Sequence, residues 1–384
     1  MPWMECSQMS SRLEFVRLAQ SSSINFSTLC TSFSISRKTG YKWLQRHAEG
    51  GVDGLVNQSR RPLSSPSRSS SDIEATIVAL YLAYPCWGGR KLKALLPDGF
   101  PDIHPTTIDA ILARNGCEVA PSRKLGDPAP ARFEHEAPNL LWQMDFKGHF
   151  ALTDAAAMRC HPLTVLDDHS RFNICLTACS TESGPQVKPA LTDAFRKYGL
   201  PQRITCDNGP PWGTAGHGTV SLLGAWLIRL GIRLGHSRPY HPQTQGKDER
   251  FHRTLKLELL GRYGFNSIEL CQAGFDRWRD QYNLVRPHHA LGQQPPVTRY
   301  AVSGRVFPET LPSIEYEPED QVRTVRTSGR IKYDGDEHFV GEGLKGQPVA
   351  VRPTATGGVV DVFFCAQKIC TLNLKKSPKI AAGV

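Results

Sequence analysis

HPQTQGKDERFHRTLK, residues 241–256, opens with a proline-containing turn and runs into a helix. Thr244 is the expected N-cap, its hydroxyl able to accept from free N–H groups of the first helical turn. Beyond it, Phe251, Leu255 and Leu259 recur at i, i+4 and i+8 and predict an apolar stripe. Glu249, Arg253 and Lys256 fall on a second, polar face. One carboxylate therefore stands on a core-anchored helix among Lys247, Arg250, Arg253 and Lys256. Such a carboxylate is either a salt-bridged surface residue or a metal ligand beside a basic track for phosphates. The choice depends on whether partner carboxylates lie upstream.

The 384-residue chain has room for two to four domains, and its 40% hydrophobic content is that of a globular protein. A formal charge of +10 points to a polyanionic partner, most simply nucleic acid. The charge is uneven: residues 1–70 hold nine Lys/Arg against four Asp/Glu. Eleven scattered cysteines without CxxC pairs predict free thiols in a reducing compartment. The opening MPWMECSQMS has neither a basic nor an apolar signal region, and no apolar run is long enough for a membrane helix. A cytoplasmic protein without a membrane partner is expected.

Residues 10–61 read as three short helices, with Ser27 and Ser36 as N-caps of the second and third. A short helix, a tight turn and a basic helix make a helix-turn-helix pattern, in which Arg37, Lys38, Lys42 and Arg46 face DNA and Tyr41 and Leu44 face the core. A small bundle with a solvated basic face is the plainer reading. The Ser/Pro/Arg run at 60–71 is a linker. Residues 72–116 form a second helical unit, capped by Asp72, whose basic residues are Arg90, Lys91, Lys93 and Arg114. A further linker covers 121–138. The pattern then changes to three strands, a helix, the short strand RITCDNG, a helix, a strand near 232–236 and the opening helix. This is an α/β layout with a mixed sheet.

Asp145 lies within the first of these strands, where Asp is disfavoured. Asp207 ends the short central strand, the position where sites gather in open α/β sheets. With Glu249 they supply three oxygen donors from three elements, suited to Mg²⁺ or Mn²⁺. Two such ions activate one oxygen and stabilise another at a phosphodiester. Each residue also has a plainer reading, Asp207 as a turn residue before Asn208-Gly209 above all. Asp167 and Asp168 read as structural, the second pairing with Arg171. His149, His161 and the His288-His289 pair have no ligand spacing.

LWQMDFKGHF, TVLDDHSRF, RITCDNGPPW and RPYHPQTQGKDERFHRTLK together resemble the bacterial insertion-sequence transposases with a retroviral-integrase-type core. YNLVRPHHALGQQPPVTRY and SISRKTGYKWL extend the resemblance over nearly the whole chain. It implies a ribonuclease H-like core in which Asp145, Asp207 and Glu249 form an Asp-Asp-Glu triad holding two divalent ions, Mg²⁺ or Mn²⁺. The implied reaction is cleavage at the element's ends and attack of the freed 3′-OH groups on target DNA. The interval between the second Asp and the Glu, residues 208–248, is longer than the retroviral-type spacing, and a Gly-rich insertion accounts for the excess. Helix-turn-helix units stand where retroviral integrases carry a His/Cys zinc module.

Trp278 and Tyr282 follow as core residues with Phe275, and from Val322 onward short strands with an Asp334-Gly335 hairpin turn predict a small SH3-like barrel. The resemblance implies that this tail helps bind DNA. The expected domains are a helix-turn-helix domain at 1–62, a second at 70–120, the integrase core at 135–300 and the barrel at 321–380. The expected function is a metal-dependent transposase acting on double-stranded DNA, element ends and target, as a homo-oligomer. The alternative is a DNA-binding regulator that keeps the fold and no longer cuts.

Overall fold

The computed structural model describes residues 8–21, 24–58, 68–118, 134–153, 158–207, 209–213, 220–236 and 246–374. The expected cap at Thr244, most of both linkers and part of the 210–224 insertion lie outside these. Two compact units divide at Ser70 and Ser71.

In the first unit, helices α1 (Gln8–Ser21), α2 (Phe26–Ser32) and α3 (Arg37–Gly50) surround Phe15, Val16, Leu29, Cys30, Trp43 and Leu55. Asn25, not Ser27, caps α2, its side chain accepting from the Ser27 amide at 2.8 Å. Ser36 caps α3 as its sequence indicates. On α3 the buried positions are Gly40 and Trp43, while Tyr41 is 54% exposed and stacks on Phe26. Crowding decides which side of α3 faces inward: a Cβ on Gly40 would come within 2.8 Å of the Cys30 sulfur, so Tyr41 is not the core residue its sequence suggests. The helices meet there, and that turns Tyr41 outward.

The second unit begins with α4 (Ser71–Ala83), α5 (Gly89–Lys93) and α6 (Pro105–Arg114), packed around Ile77, Trp87, Leu92, Ile108 and Ile111. Asp72 lies in the first turn of α4. The central sheet follows: β1 (Trp142–Phe146), β2 (Phe150–Ala151), β3 (Arg159–Asp167), β4 (Asn173–Cys179), β5 (Arg203–Cys206) and β6 (Arg233–His236). Its order is β2-β3-β1-β5-β6, with β4 on the other side of β3. β1 pairs antiparallel with β3 and parallel with β5, so the sheet is mixed, as expected.

Side chains alternate across a strand. Trp142, Met144 and Phe146 therefore pack on one face with α7 (Gly184–Tyr198) and α8 (Leu222–Arg229). Gln143 and Asp145 take the opposite face, the side of α9 (Gly246–Leu255) and α10 (Ile268–Asp280). Each of these two helices runs into a π-helical turn, Lys256–Leu260 and Gln281–Val285. Phe251, Leu255 and Leu259 form the expected stripe and pack with Phe275, Trp278 and Tyr282.

The C-terminal β domain holds β7 (Gln321–Thr324), β8 (Arg330–Tyr333), β9 (Asp336–Phe339), β10 (Pro348–Pro353), β11 (Val359–Phe364) and β12 (Gln367–Asn373). Asp334 and Gly335 both have positive φ and turn β8 into β9. The strands form a four-stranded sheet, β12-β11-β10-β7, and the separate β8-β9 hairpin. No pairing among the described residues closes them into a barrel. Gln367 bonds both the amide and the carbonyl of Leu234 on β6, at 2.9 and 3.1 Å, which fixes this domain to the sheet edge.

Candidate active site

Asp145 sits on the α9 side of β1, opposite Thr164 of β3. Asp207 directly follows β5 at its carboxyl end and is exposed. Glu249 lies in the first turn of α9 and is also exposed. Their charges meet. Burial, above all, pushes the Asp145 carboxyl up to about 6; the Phe146 amide opposes this, and Asp207, Glu182 and Glu249 then raise it further, in that order. Glu182, between β4 and α7, is thus a further carboxylate whose charge Asp145 feels. Nothing in its local sequence connects it to Asp145. Its Oε1 lies 2.9 Å from Nδ1 of His161, whose ring stands 5.2 Å from that of His149.

Asp248 faces inward with Phe251 and Leu255. Its carboxyl is 1% exposed, and neither oxygen has a hydrogen-bond partner. Burial first, then the charges of Asp145 and Asp168, raise it well above the usual range. Among the described residues no group of three or more His, Cys, Asp or Glu is already drawn to metal-ligand geometry. The donors nevertheless suit a hard divalent cation in type: all are oxygens, and their repulsion around Asp145 is what such a charge relieves.

Thr164 ties this face to α9. Its hydroxyl donates to the Asp145 carbonyl at 3.0 Å and lies 2.8 Å from Nε2 of His252. A hydroxyl has one proton, so it accepts from the Nε2–H of a neutral imidazole. Burial, then Lys147, lowers His252 to about 4, which agrees.

The cations around Glu249 divide. Arg250 and Arg253 are exposed on α9, and Lys256 is exposed at the start of the π-helical turn that follows it. Burial first, then the charge of Lys256, lowers the Lys147 ammonium. Lys247 differs. Its ammonium bonds the Asp168 carboxylate and, at 3.2 Å, the Asp168 carbonyl. The pairing expected for Asp168 is thereby corrected: Arg171 bonds Glu134 instead, at 2.9 Å. Asp167 ends β3 and accepts from Ser170 and the Asn139 amide, a structural role.

In the first unit Arg37, Lys38 and Lys42 are exposed on α3, and Arg46 is half-buried, donating to Gln58 at 2.7 Å. In the second helical unit Lys91 meets Glu258 at 3.4 Å, Lys93 meets Asp102 at 2.6 Å and Arg114 meets Glu74 at 2.8 Å. His288 is buried and held down to about 3 by burial and by Arg286 and Arg171.

Comparisons with known proteins agree with this architecture. A helix-turn-helix domain family matches residues 11–62, a homeodomain-like family 39–112, and integrase core domain families 135–242 and 230–296. The C-terminal domain of IS481 family transposases matches 320–379. An uncharacterized 39.2 kDa protein of insertion element IS476 from Xanthomonas euvesicatoria is 28% identical over 63% of this chain and 68% of its own length. A 31.7 kDa protein of insertion element IS407 from Burkholderia multivorans is 27% identical over 63% of this chain and 86% of its own. Among solved structures, the HTLV-2 integrase catalytic core, in complex with magnesium, aligns over 43% of this chain and 99% of its own at 15% identity, with a TM-score of 0.33.

Proposed function

The chain belongs to the insertion-sequence transposases that carry an integrase catalytic core, and on that premise we propose that it cuts DNA at its element's ends and joins the freed 3′-OH groups to target DNA. What carries the reading is the convergence of Asp207 and Glu249 on Asp145 from three separate elements. These three carboxylates would hold Mg²⁺ or Mn²⁺, two ions in all, which when bound supply an activated attacking oxygen and charge neutralisation at the leaving one.

The protein's own groups do the remaining work. β1 and the end of β5 hold Asp145 and Asp207 on rigid backbone, while Glu249 reaches out from the first turn of α9. Above about pH 6 Asp145 is ionised and ready as a donor. Arg250, Arg253 and Lys256 line the exposed face beside Glu249 and track phosphates. Arg37, Lys38, Lys42 and Arg46 bring the end DNA to α3 as a recognition helix. Because two ends must be joined, the working form is a homo-oligomer on DNA. The domains are a helix-turn-helix at 1–62, a second helical domain at 70–120, the core at 135–300 and the β domain at 321–380.

The test is a strand-transfer assay with labelled terminal repeats flanking the gene, target DNA and Mg²⁺. Joined product is expected from the wild type and none from Glu249→Gln, with end binding nearly intact. Equal loss of binding and joining in that variant would remove the catalytic assignment.

A further inference from the structure

Asp168 is 1% exposed and fully engaged. Its Oδ1 accepts from Nε2 of Gln143 at 2.8 Å and from the Lys247 ammonium. Its Oδ2 accepts from the His135 amide and meets the His135 ring, both at 3.0 Å. Gln143 stands two residues before Asp145 on the same face of β1. Lys247 stands two residues before Glu249 in the first turn of α9. One buried oxygen therefore joins the strand of the first carboxylate to the helix of the third.

We propose that Asp168 is a positioning residue that sets the separation of Asp145 and Glu249, with Lys247 as its arm on the helix. The inference rests on the catalytic assignment above. The apolar stripe of Phe251 and Leu255 fixes how α9 is rotated about its axis, but it leaves the N-terminal turn free to tilt or slide. The Lys247 bond holds that turn from one side of Glu249, and the His252–Thr164 bond holds it from the other. Mg²⁺ demands near-ideal octahedral geometry, so a shifted ligand weakens its binding steeply. Lys247 then serves the core and makes no contact with a DNA phosphate.

The test compares wild type, Lys247→Met, Asp168→Asn, their double variant and Glu249→Gln. Three quantities are read: Mg²⁺ for half-maximal cleavage of labelled terminal repeats, Mg²⁺ for the half-maximal rise in Tm of the DNA-free protein, and the salt dependence of end binding. Both single variants should raise both Mg²⁺ requirements by about 10–100-fold, as outer-shell substitutions do. End affinity and its salt slope should stay at the wild-type value, and the double variant should be no worse than the worse single one. An unchanged Mg²⁺ requirement in Lys247→Met, with the salt slope lowered by about 0.9, would make Lys247 a phosphate contact and overturn the proposal. So would effects that multiply in the double variant. Should Asp168→Asn fail to fold, Lys247→Met decides alone, since it leaves the other bonds to Asp168 in place. Cleavage by Glu249→Gln would remove the catalytic assignment; a dead Glu249→Gln beside a normal Lys247→Met removes only the positioning role.

Discussion

On α3 the charged groups of Arg37, Lys38 and Lys42 stand in solvent, whereas on α5 and α6 Lys91, Lys93 and Arg114 each end on a carboxylate of the same chain. Both regions read as basic helical modules in sequence. The first keeps its cations available for a polyanion. The second uses three of its four cations to hold itself together and to seat on the core, and only Arg90 is left exposed without a carboxylate partner among the described residues. Lys91 reaches Glu258 across 167 residues, and Glu258 also accepts from Nε of Arg286 at 2.9 and 3.1 Å. A count of Lys and Arg cannot separate these uses, because the deciding carboxylate is remote in sequence. Nor does a helix-turn-helix pattern establish a DNA contact at every module that shows it.

The largest way to break this comparison is at Glu258. The residue is 8% exposed and Arg286 7%. Glu258→Leu leaves a buried guanidinium unpaired, which costs about 3–5 kcal/mol. Urea unfolding should show that loss. An unchanged midpoint and slope would mean that Glu258 anchors neither Arg286 nor, through Lys91, the helical unit. Arg114→Ala comes next. It removes a charged hydrogen bond to the buried Glu74, a change of about 1.5–3 kcal/mol, with no effect on the salt slope of end binding. A lowered salt slope would return Arg114 to the DNA surface.

Acid sharpens the contrast further. His288 lies among Arg286, Arg171, Arg250 and Lys91, and burial with these charges holds it down to about 3. Its unfolded value is about 6.5, so the folded form binds the proton less. The stability it contributes is complete above pH 6.5 and is lost as pH falls toward 3, at up to about 1.4 kcal/mol per pH unit. His288→Gln should flatten the fall in unfolding free energy between about pH 6.5 and 4, leaving the part due to His252. A fall as steep as in the wild type would place the acid sensitivity elsewhere.

How much was legible in the sequence depended on the range of the interaction. The order of strands and helices in the core came from local periodicity, and so did the stripe of Phe251, Leu255 and Leu259. Asp145 stood out because Asp is rare inside a strand, and Asp207 because it ends one. Glu182 stayed hidden because only the approach of the β4–α7 turn to β1 brings it near Asp145. The sequence pairs Asp168 with Arg171, three residues on, yet its partner Lys247 lies 79 residues away. Tyr41 reads as a core residue in sequence, yet Trp43 takes that place, because the close contact at Gly40 depends on Cys30, Phe15 and Phe26 from two other helices. Adjacent-residue logic fails wherever tertiary packing supplies the partner.

The smallest effect is the one that would complete the comparison from its other side. Lys38→Ala and Lys42→Ala remove exposed ammonium groups, so folding stability should move by no more than about 0.5 kcal/mol. Lys42 also lies 5.1 Å from the centre of the Trp43 ring, a contact that is weak at an exposed site and does not alter that expectation. If these residues meet phosphates, each substitution should lower the slope of log affinity against log salt by about 0.9, and the double substitution by about twice that. Fluorescence anisotropy on a labelled terminal repeat over a salt series reads this directly. Lys93→Ala is the matched control: its charge is already answered by Asp102, so its slope should equal that of the wild type. Equal slopes for all the variants would mean that the exposed cations of α3 are as idle toward DNA as the paired cations of α5, and exposure alone would then be no guide to function.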